Sequence, residues 1–201
     1  MKRFALTLPR VLWLFTGIAS SILLDSCTSA SPPAAAEDKA SWQSILEEDL
    51  HLLGHRNWIL VVDKAFPEQS SPGMKYLYVD QDLIATLEQV LEMVEASSHV
   101  KPVIYQDQEL TYITEEQVAG IAAFRSEMGT VLAGREANTL LHEEVFQMLD
   151  ESSSLFRVLV MKTNTALPYT SVFLQLDCAY WTPEQEKQLR DLMAEQGITG
   201  S

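Results

Sequence analysis

The chain has 201 residues, of which 47% are apolar and 21% charged, enough for one domain with a sizeable core and too apolar for a disordered chain. Acidic residues outnumber basic ones 28 to 14, for a formal charge of −14 at pH 7. Such a surface repels phosphate backbones and anionic membranes, so nucleic acid is not an expected partner, while a neutral ligand such as a sugar is compatible with it, as are many others.

Lys2, Arg3 and Arg10 lead into an apolar run over 11–24. That run has the length of a signal-peptide core and is short for a bilayer span. Leu24-Asp25-Ser26-Cys27 follows. It resembles a bacterial lipoprotein signal: Leu three positions before the cysteine, a small residue directly before it, and Cys27 as the residue to be acylated. Asp25 departs from the usual choice at its position. Residues 1–27 are therefore expected to be a signal peptide of lipoprotein type. It would export the protein and hold it to a bacterial cell membrane or outer membrane through lipid on Cys27. An ordinary secretory signal is the alternative. Residues 28–40 are rich in Ser, Pro and Ala and read as a flexible tether. With Cys27 lipidated, Cys178 has no partner in the chain. No disulfide framework is expected, and Cys178 reads as a small buried residue.

Ser41 is placed to cap a helix running to about Leu53, with Trp42, Ile45, Leu46 and Leu50 near one face and Gly54 as its stop. The run 58–62, Trp-Ile-Leu-Val-Val, is too short for a helix and reads as a buried strand. His55 precedes it and Asp63 closes it. Ligands gather at the carboxyl ends of strands in open α/β sheets, so Asp63 is the first candidate for chemistry. A loop over 68–73 leads to a strand over 75–79. Asp80 or Asp82 then begins an amphipathic helix with Leu83, Leu87, Val90, Leu91 and Val94 in helical period, ending near Ser97. A strand over 100–105 is followed by Asp107-Gln108-Glu109, a second acidic cluster after a strand.

Thr114, with Gln117 three residues on, predicts a capped helix over 114–128. Residues 129–135 read as a break, and 138–149 as a helix carrying His142. Strands are expected over 156–161 and 172–176, the second continuing toward Tyr180, with a loop over 163–169 between them. An antiparallel hairpin over 156–180 is the alternative pairing. Thr182 and Pro183 start a terminal helix reaching about Glu195. The alternation of helices and strands predicts a single α/β domain over 41–201, with a mostly parallel sheet flanked by helices.

Leu53, Gly54, His55, Asp63 and Pro67 form a frame that resembles the D-ribose pyranase and L-fucose mutarotase (RbsD/FucU-like) family. There a helix ends in Leu-Gly-His, a strand follows, and Asp and then Pro close the block. Pro168-Tyr169-Thr170-Ser171-Val172-Phe173-Leu174 resembles that family's Pro-Tyr-x-Asn-apolar strand. The resemblance implies an RbsD-like α/β fold assembled into rings, commonly decamers, with the sugar site near a subunit boundary. It implies interconversion of monosaccharide ring forms without a cofactor. It also implies His55 as acid/base, Asp63 as its orienter or a sugar contact, and Tyr169 as a sugar contact. Ser171 stands where the family has Asn, which changes that hydrogen bond. The family carries a further His in a Thr-His-Glu-x-Phe context, and three registers are open for it. His142-Glu143-Glu144-Val145-Phe146 is similar to it; Glu115 occupies its place in a second register; in a third, the helix after this His is missing and 156–164 runs directly into the last strand.

Opening a sugar hemiacetal requires a proton delivered to the ring oxygen and another removed from the anomeric hydroxyl. Histidine, with an ordinary pKa near 6.5, suits both tasks. By placement alone, His55 also fits a helix-terminal histidine serving the helix dipole, and Asp63 a turn cap. His142, Asp107 and Lys162 are further candidates for sugar contacts, and Lys162 also fits a side chain whose stem lies along the surface. His55, Asp63, Asp107, Glu109 and His142 are metal-ligand types, but no pair has tight ligand spacing, and no metal is expected. The chain has no Gly-x-Ser-x-Gly elbow and no phosphate-binding glycine loop. Two functions follow: a mutarotase-like isomerase, or a non-catalytic carbohydrate-binding or assembly lipoprotein on the same fold.

Overall fold

Five consecutive buried residues, Trp58–Val62, form β1 near the middle of a six-stranded sheet in the computed structural model, which describes residues 40–198. The expected signal peptide, the Cys27 acylation site and the tether up to residue 39 lie outside the described residues. β2 is Met74–Tyr78, β3 Val100–Asp107, β4 Ala137–Leu140, β5 Val158–Lys162 and β6 Val172–Cys178. The strand order is β2-β5-β1-β6-β3-β4. β2, β5 and β1 pair in parallel, as do β3 and β4, while β6 runs antiparallel to both β1 and β3. Five strands thus point one way and β6 the other. The class is α/β with a mostly parallel sheet.

β1 reads as an unbroken apolar run because both its faces are covered. Ile59 and Val61 face a core built with α1 (Trp42–Leu50), α2 (Leu83–Glu95) and α3 (Ile121–Val131). Trp58, Leu60 and Val62 face a second core that includes Val145 and Leu149 of α4 (His142–Ser153). Full burial of each such side chain contributes roughly 1.5–3 kcal/mol. The last helix, α5 (Pro183–Glu195), is capped reciprocally by Thr182 and Gln185 and buries none of its residues. Among the described residues, no helix is long and apolar enough to cross a membrane.

The reversal of β6 decides what meets at each end of the sheet. Val172, its first residue, pairs with Val61 and Gln106, near the last residues of β1 and β3. Asp63, Asp107, His142, Lys162 and Ser171 therefore share the carboxyl edge of the parallel strands. His55 and Asp177 lie at the amino edge.

Several expectations change. α1 stops at Leu50 rather than Leu53 because the chain turns through residues 51–53 back onto Asp49 carbonyl bonds. The helix expected over 114–128 begins only at Ile121. Thr114 does donate its N–H to Gln117, but Gly120, at φ 88°, breaks the turn from the helix. α3 then continues through Gly129 to Val131, where a break was expected. Residues 137–140 are not helical: they pair in parallel with β3 as an edge strand, a tertiary contact that overrides local preference. The alternative pairing, a hairpin over 156–180, does not form: β5 and β6 lie on opposite sides of β1. Cys178 is half-buried rather than buried.

Candidate active site

Asp63 ends β1 in a turn that fixes both its oxygens. Oδ1 accepts from the Ala65 N–H at 2.7 Å and Oδ2 from the Ser171 hydroxyl at 2.9 Å. The same hydroxyl accepts from the Asp63 N–H at 3.2 Å. Ser171 is buried, and its hydroxyl is used in holding this carboxylate. The Lys162 ammonium donates to the Phe66 carbonyl at 2.8 Å, tying down the loop after Asp63.

His142 opens α4, and its backbone N–H donates to the Glu109 carboxylate at 3.1 Å. Its Nδ1 lies 3.1 Å from Oδ2 of Asp107. The Phe146 ring, one turn along the helix, packs at 4.6 Å between centroids, and the Tyr169 ring stands edge-on at 5.2 Å. Asp107 is 1% exposed, and its other oxygen, Oδ1, is buried without a hydrogen-bond partner. Burial raises its pKa most strongly. The His142 contact opposes this, while the charges of Glu109 and Asp63 add to it, leaving the group at about 6. A carboxyl pKa moved toward neutrality beneath a cleft-lining histidine is the kind of perturbation found at sites of proton transfer.

Tyr169 has φ 56°, in the left-handed region. For a bulky residue this costs of order 1–3 kcal/mol and persists where the surroundings enforce it. Asp63, His142, Tyr169, Phe66 and Phe146 line one cleft of about 290 Å³. Another hollow, of about 390 Å³, lies beside it along Asp63, Lys64 and Leu167.

His55 is elsewhere. The end of α1 is held by His99, whose Nε2 lies 3.0 and 3.1 Å from the Leu50 and Leu53 carbonyls. The Gly54 N–H then donates to Asn57 Oδ1 at 2.7 Å, and Arg56 takes a left-handed φ of 73°. This turn presents His55 at the amino edge, its Nδ1 3.0 Å from Asp177 Oδ1. β1 alone, at about 3.3 Å per residue, puts roughly 16 Å between His55 and Asp63. The carboxylate beside His55 is thus Asp177, not Asp63. Lys101 Nζ approaches Asp177 Oδ2 at 3.6 Å. Burial acts to raise the Asp177 pKa, but the Cys178 N–H, Lys101 and His55 outweigh it and hold it below its ordinary value. A cavity of about 490 Å³ flanks this pair, walled by Cys178, Tyr180 and Trp181.

Of the residues named from the sequence, Asp63, Asp107, His142, Tyr169 and Ser171 come together. Lys162 supports their loop, and His55 stands apart. Glu115 accepts from the Gly120 and Ala122 N–H groups at 2.6 and 3.0 Å as a cap for α3, so it has no place in this cluster. Asp177 carries no sequence signal of a role and becomes visible only through strand register, whereas Phe146 belongs to the His142–Phe146 stretch that resembles the Thr-His-Glu-x-Phe context. Among the described residues no group of three or more His, Cys, Asp and Glu side chains is arranged to hold a metal ion.

Several solved structures resemble this chain in fold. Bacillus subtilis RbsD complexed with D-ribose matches at 21% identity and a TM-score of 0.49, over 69% of this chain and 96% of that one. The likeness is one of fold. The fucose mutarotase from Streptococcus pneumoniae in complex with L-fucose matches at 15% identity and 0.44, over 65% and 89% of the two chains. FucU from Bifidobacterium longum matches at 15% and 0.42, over 67% and 94%. No protein-family model matches the sequence. No curated protein matches it either.

Proposed function

We propose that the carboxyl-edge cleft is the site of a monosaccharide mutarotase or pyranase-like isomerase. The observation that carries this reading is a histidine held by a buried carboxylate, with Asp63 and Tyr169 lining the same cleft. The class of ligand comes from the resemblance of the His55–Asp63–Pro67 and Pro168–Tyr169 motifs to ribose pyranases and fucose mutarotases.

The reaction needs only protons. A neutral imidazole takes the anomeric hydroxyl proton, the bond from the anomeric carbon to the ring oxygen breaks as a carbonyl forms, and a second acid protonates the ring oxygen. His142 is the group in the cleft suited to the first task. Asp63 and Tyr169 hold sugar hydroxyls, Ser171 fixes Asp63, and no cofactor takes part.

His55 supplies the second proton from a neighbouring copy. One chain cannot bring His55 to Asp63, because β1 separates them. A ring in which the amino edge of one copy meets the carboxyl edge of the next unites them, and the site then lies at a subunit boundary. Residues 1–27 direct export, and lipid on Cys27 holds the domain at a bacterial membrane. Mass spectrometry of the mature protein, with and without Cys27→Ser, checks the anchor.

A second reading is a carbohydrate-binding lipoprotein without catalysis. The engagement of both Asp63 oxygens by protein donors favours it. Magnetisation-exchange NMR across ribose, fucose and common hexoses separates the two. Exchange faster than in buffer supports the isomerase; binding without exchange supports the second reading.

A further inference from the structure

Two carboxylate–imidazole pairs occur at opposite ends of one sheet face, and they share a geometry. At the carboxyl edge, His142 Nδ1 meets Asp107 Oδ2 at 3.1 Å; at the amino edge, His55 Nδ1 meets Asp177 Oδ1 at 3.0 Å. In both, the nitrogen engaged is Nδ1. Each carboxylate is itself anchored. Asp107 is buried at the end of β3, and Asp177 lies opposite Lys101 in the β3–β6 register and close to its ammonium.

We infer that Asp107 and Asp177 are the positioning residues of a two-histidine site, each holding its imidazole through Nδ1 and leaving Nε2 as the reacting nitrogen. The inference deepens the proposed reaction and rests on it. A neutral imidazole carries one proton, and which nitrogen holds it is set by what the other atoms accept. A carboxylate accepts and does not donate, so it selects the Nδ1–H form and frees the Nε2 lone pair. After Nε2 takes a proton, the same carboxylate faces an imidazolium and stabilises it. One pair can therefore receive the anomeric hydroxyl proton while the other, starting as imidazolium, delivers its Nε2 proton to the ring oxygen. Reclosure of the ring returns both protons.

The two pairs differ in setting. The side chains of His142 and Asp107 are 35% and 1% exposed, those of His55 and Asp177 56% and 35%. The first carboxylate is dry and without a second partner on Oδ1; the second is wet and has a cation beside it. Different surroundings for two similar pairs are what lets one act as acid and the other as base.

The test needs no substrate at its first stage. Nitrogen-15 NMR of the imidazoles in the purified protein, at mildly alkaline pH, reads the tautomers directly. The expected result is the Nδ1–H form for both His55 and His142. Asp107→Asn shifts His142 alone toward the Nε2–H form, and Asp177→Asn shifts His55 alone. A parent protein with Nε2–H imidazoles, or tautomers indifferent to both substitutions, overturns the inference. At the second stage each variant lowers kcat for anomer exchange by about 10–100-fold with KM little changed, the usual size for a partner acting through another residue. An equal rise in KM with kcat intact also overturns it. If the tautomers behave as expected and no sugar is turned over by the parent, the proposed reaction fails while the pairing stands.

Discussion

The edge of the Tyr169 ring stands against the His142 imidazole, centroids 5.2 Å apart and planes at 83°. That contact is held by a backbone in the left-handed region, at φ 56°. A residue kept in strained geometry beside a candidate base is a trade of stability for placement. Tyr169→Gly relieves the strain but adds freedom to the unfolded chain, so thermal unfolding shifts by no more than about 1 kcal/mol in stability. Sugar turnover nevertheless falls at least tenfold, as the histidine loses its wall and the sugar a contact. A Tyr169→Gly protein that exchanges anomers at the parental rate removes Tyr169 from the site.

Asp107 makes stability depend on pH in an unusual direction. Burial lifts its pKa from an ordinary 3.8 to about 6, so the folded state holds a proton that the unfolded state releases. Stability from this group is therefore full below about pH 4 and declines as pH rises to about 6, by up to about 3 kcal/mol. Urea unfolding of Asp107→Asn should lack that part of the decline and show a protein more stable than the parent at neutral pH. An identical pH slope in parent and variant contradicts the assignment.

Gly73 marks where β2 crosses the end of α4. Its N–H donates to the Ser153 carbonyl, and an added Cβ would run into the carbonyl oxygens of Ser153 and Phe156. Both obstacles are backbone and cannot swing aside. Gly73→Ala should cost about 1–3 kcal/mol in chemical denaturation, the range of an overpacked site. The loss reflects contact rather than φ, so Gly73→Ser should be at least as costly.

If His55 of one copy completes the cleft of another, two inactive variants can rescue each other. His55→Ala and Asp63→Ala proteins, unfolded together and refolded as a mixture, should regain about a quarter of parental exchange activity, since one site in four joins an intact His55 to an intact Asp63. Refolded separately, neither recovers. A mixture as inactive as its components places both residues' effects within one chain.

Much of the fold is legible in local chemistry. Ser41, Asp82 and Thr182 cap the helices that follow them, because a side-chain oxygen must satisfy the free N–H groups of a first turn. Trp58–Val62 is recognisable as a doubly covered strand by its unbroken apolar run. What the chain does not announce is pairing. The segment Ala137–Leu140 is half exposed and has little strand character of its own; it is extended because β3 offers it an edge. The ends of the sheet at which Ser171 and Asp177 land depend on β6 running backwards, which no local pattern encodes. Hence Asp63 and His142 could be named as candidates, while the Asp177 partner of His55 could not, and His55 and Asp63 looked adjacent in sequence though they close opposite ends of one strand.

The claim that this cleft moves protons on a sugar is tested most directly by NMR anomer exchange in the parent beside His142→Ala. The expected result is acceleration over buffer by the parent for at least one monosaccharide, reduced about 10²–10⁴-fold when the imidazole is removed. A parent that leaves every sugar at its buffer rate, or a His142→Ala protein as fast as the parent, would contradict it.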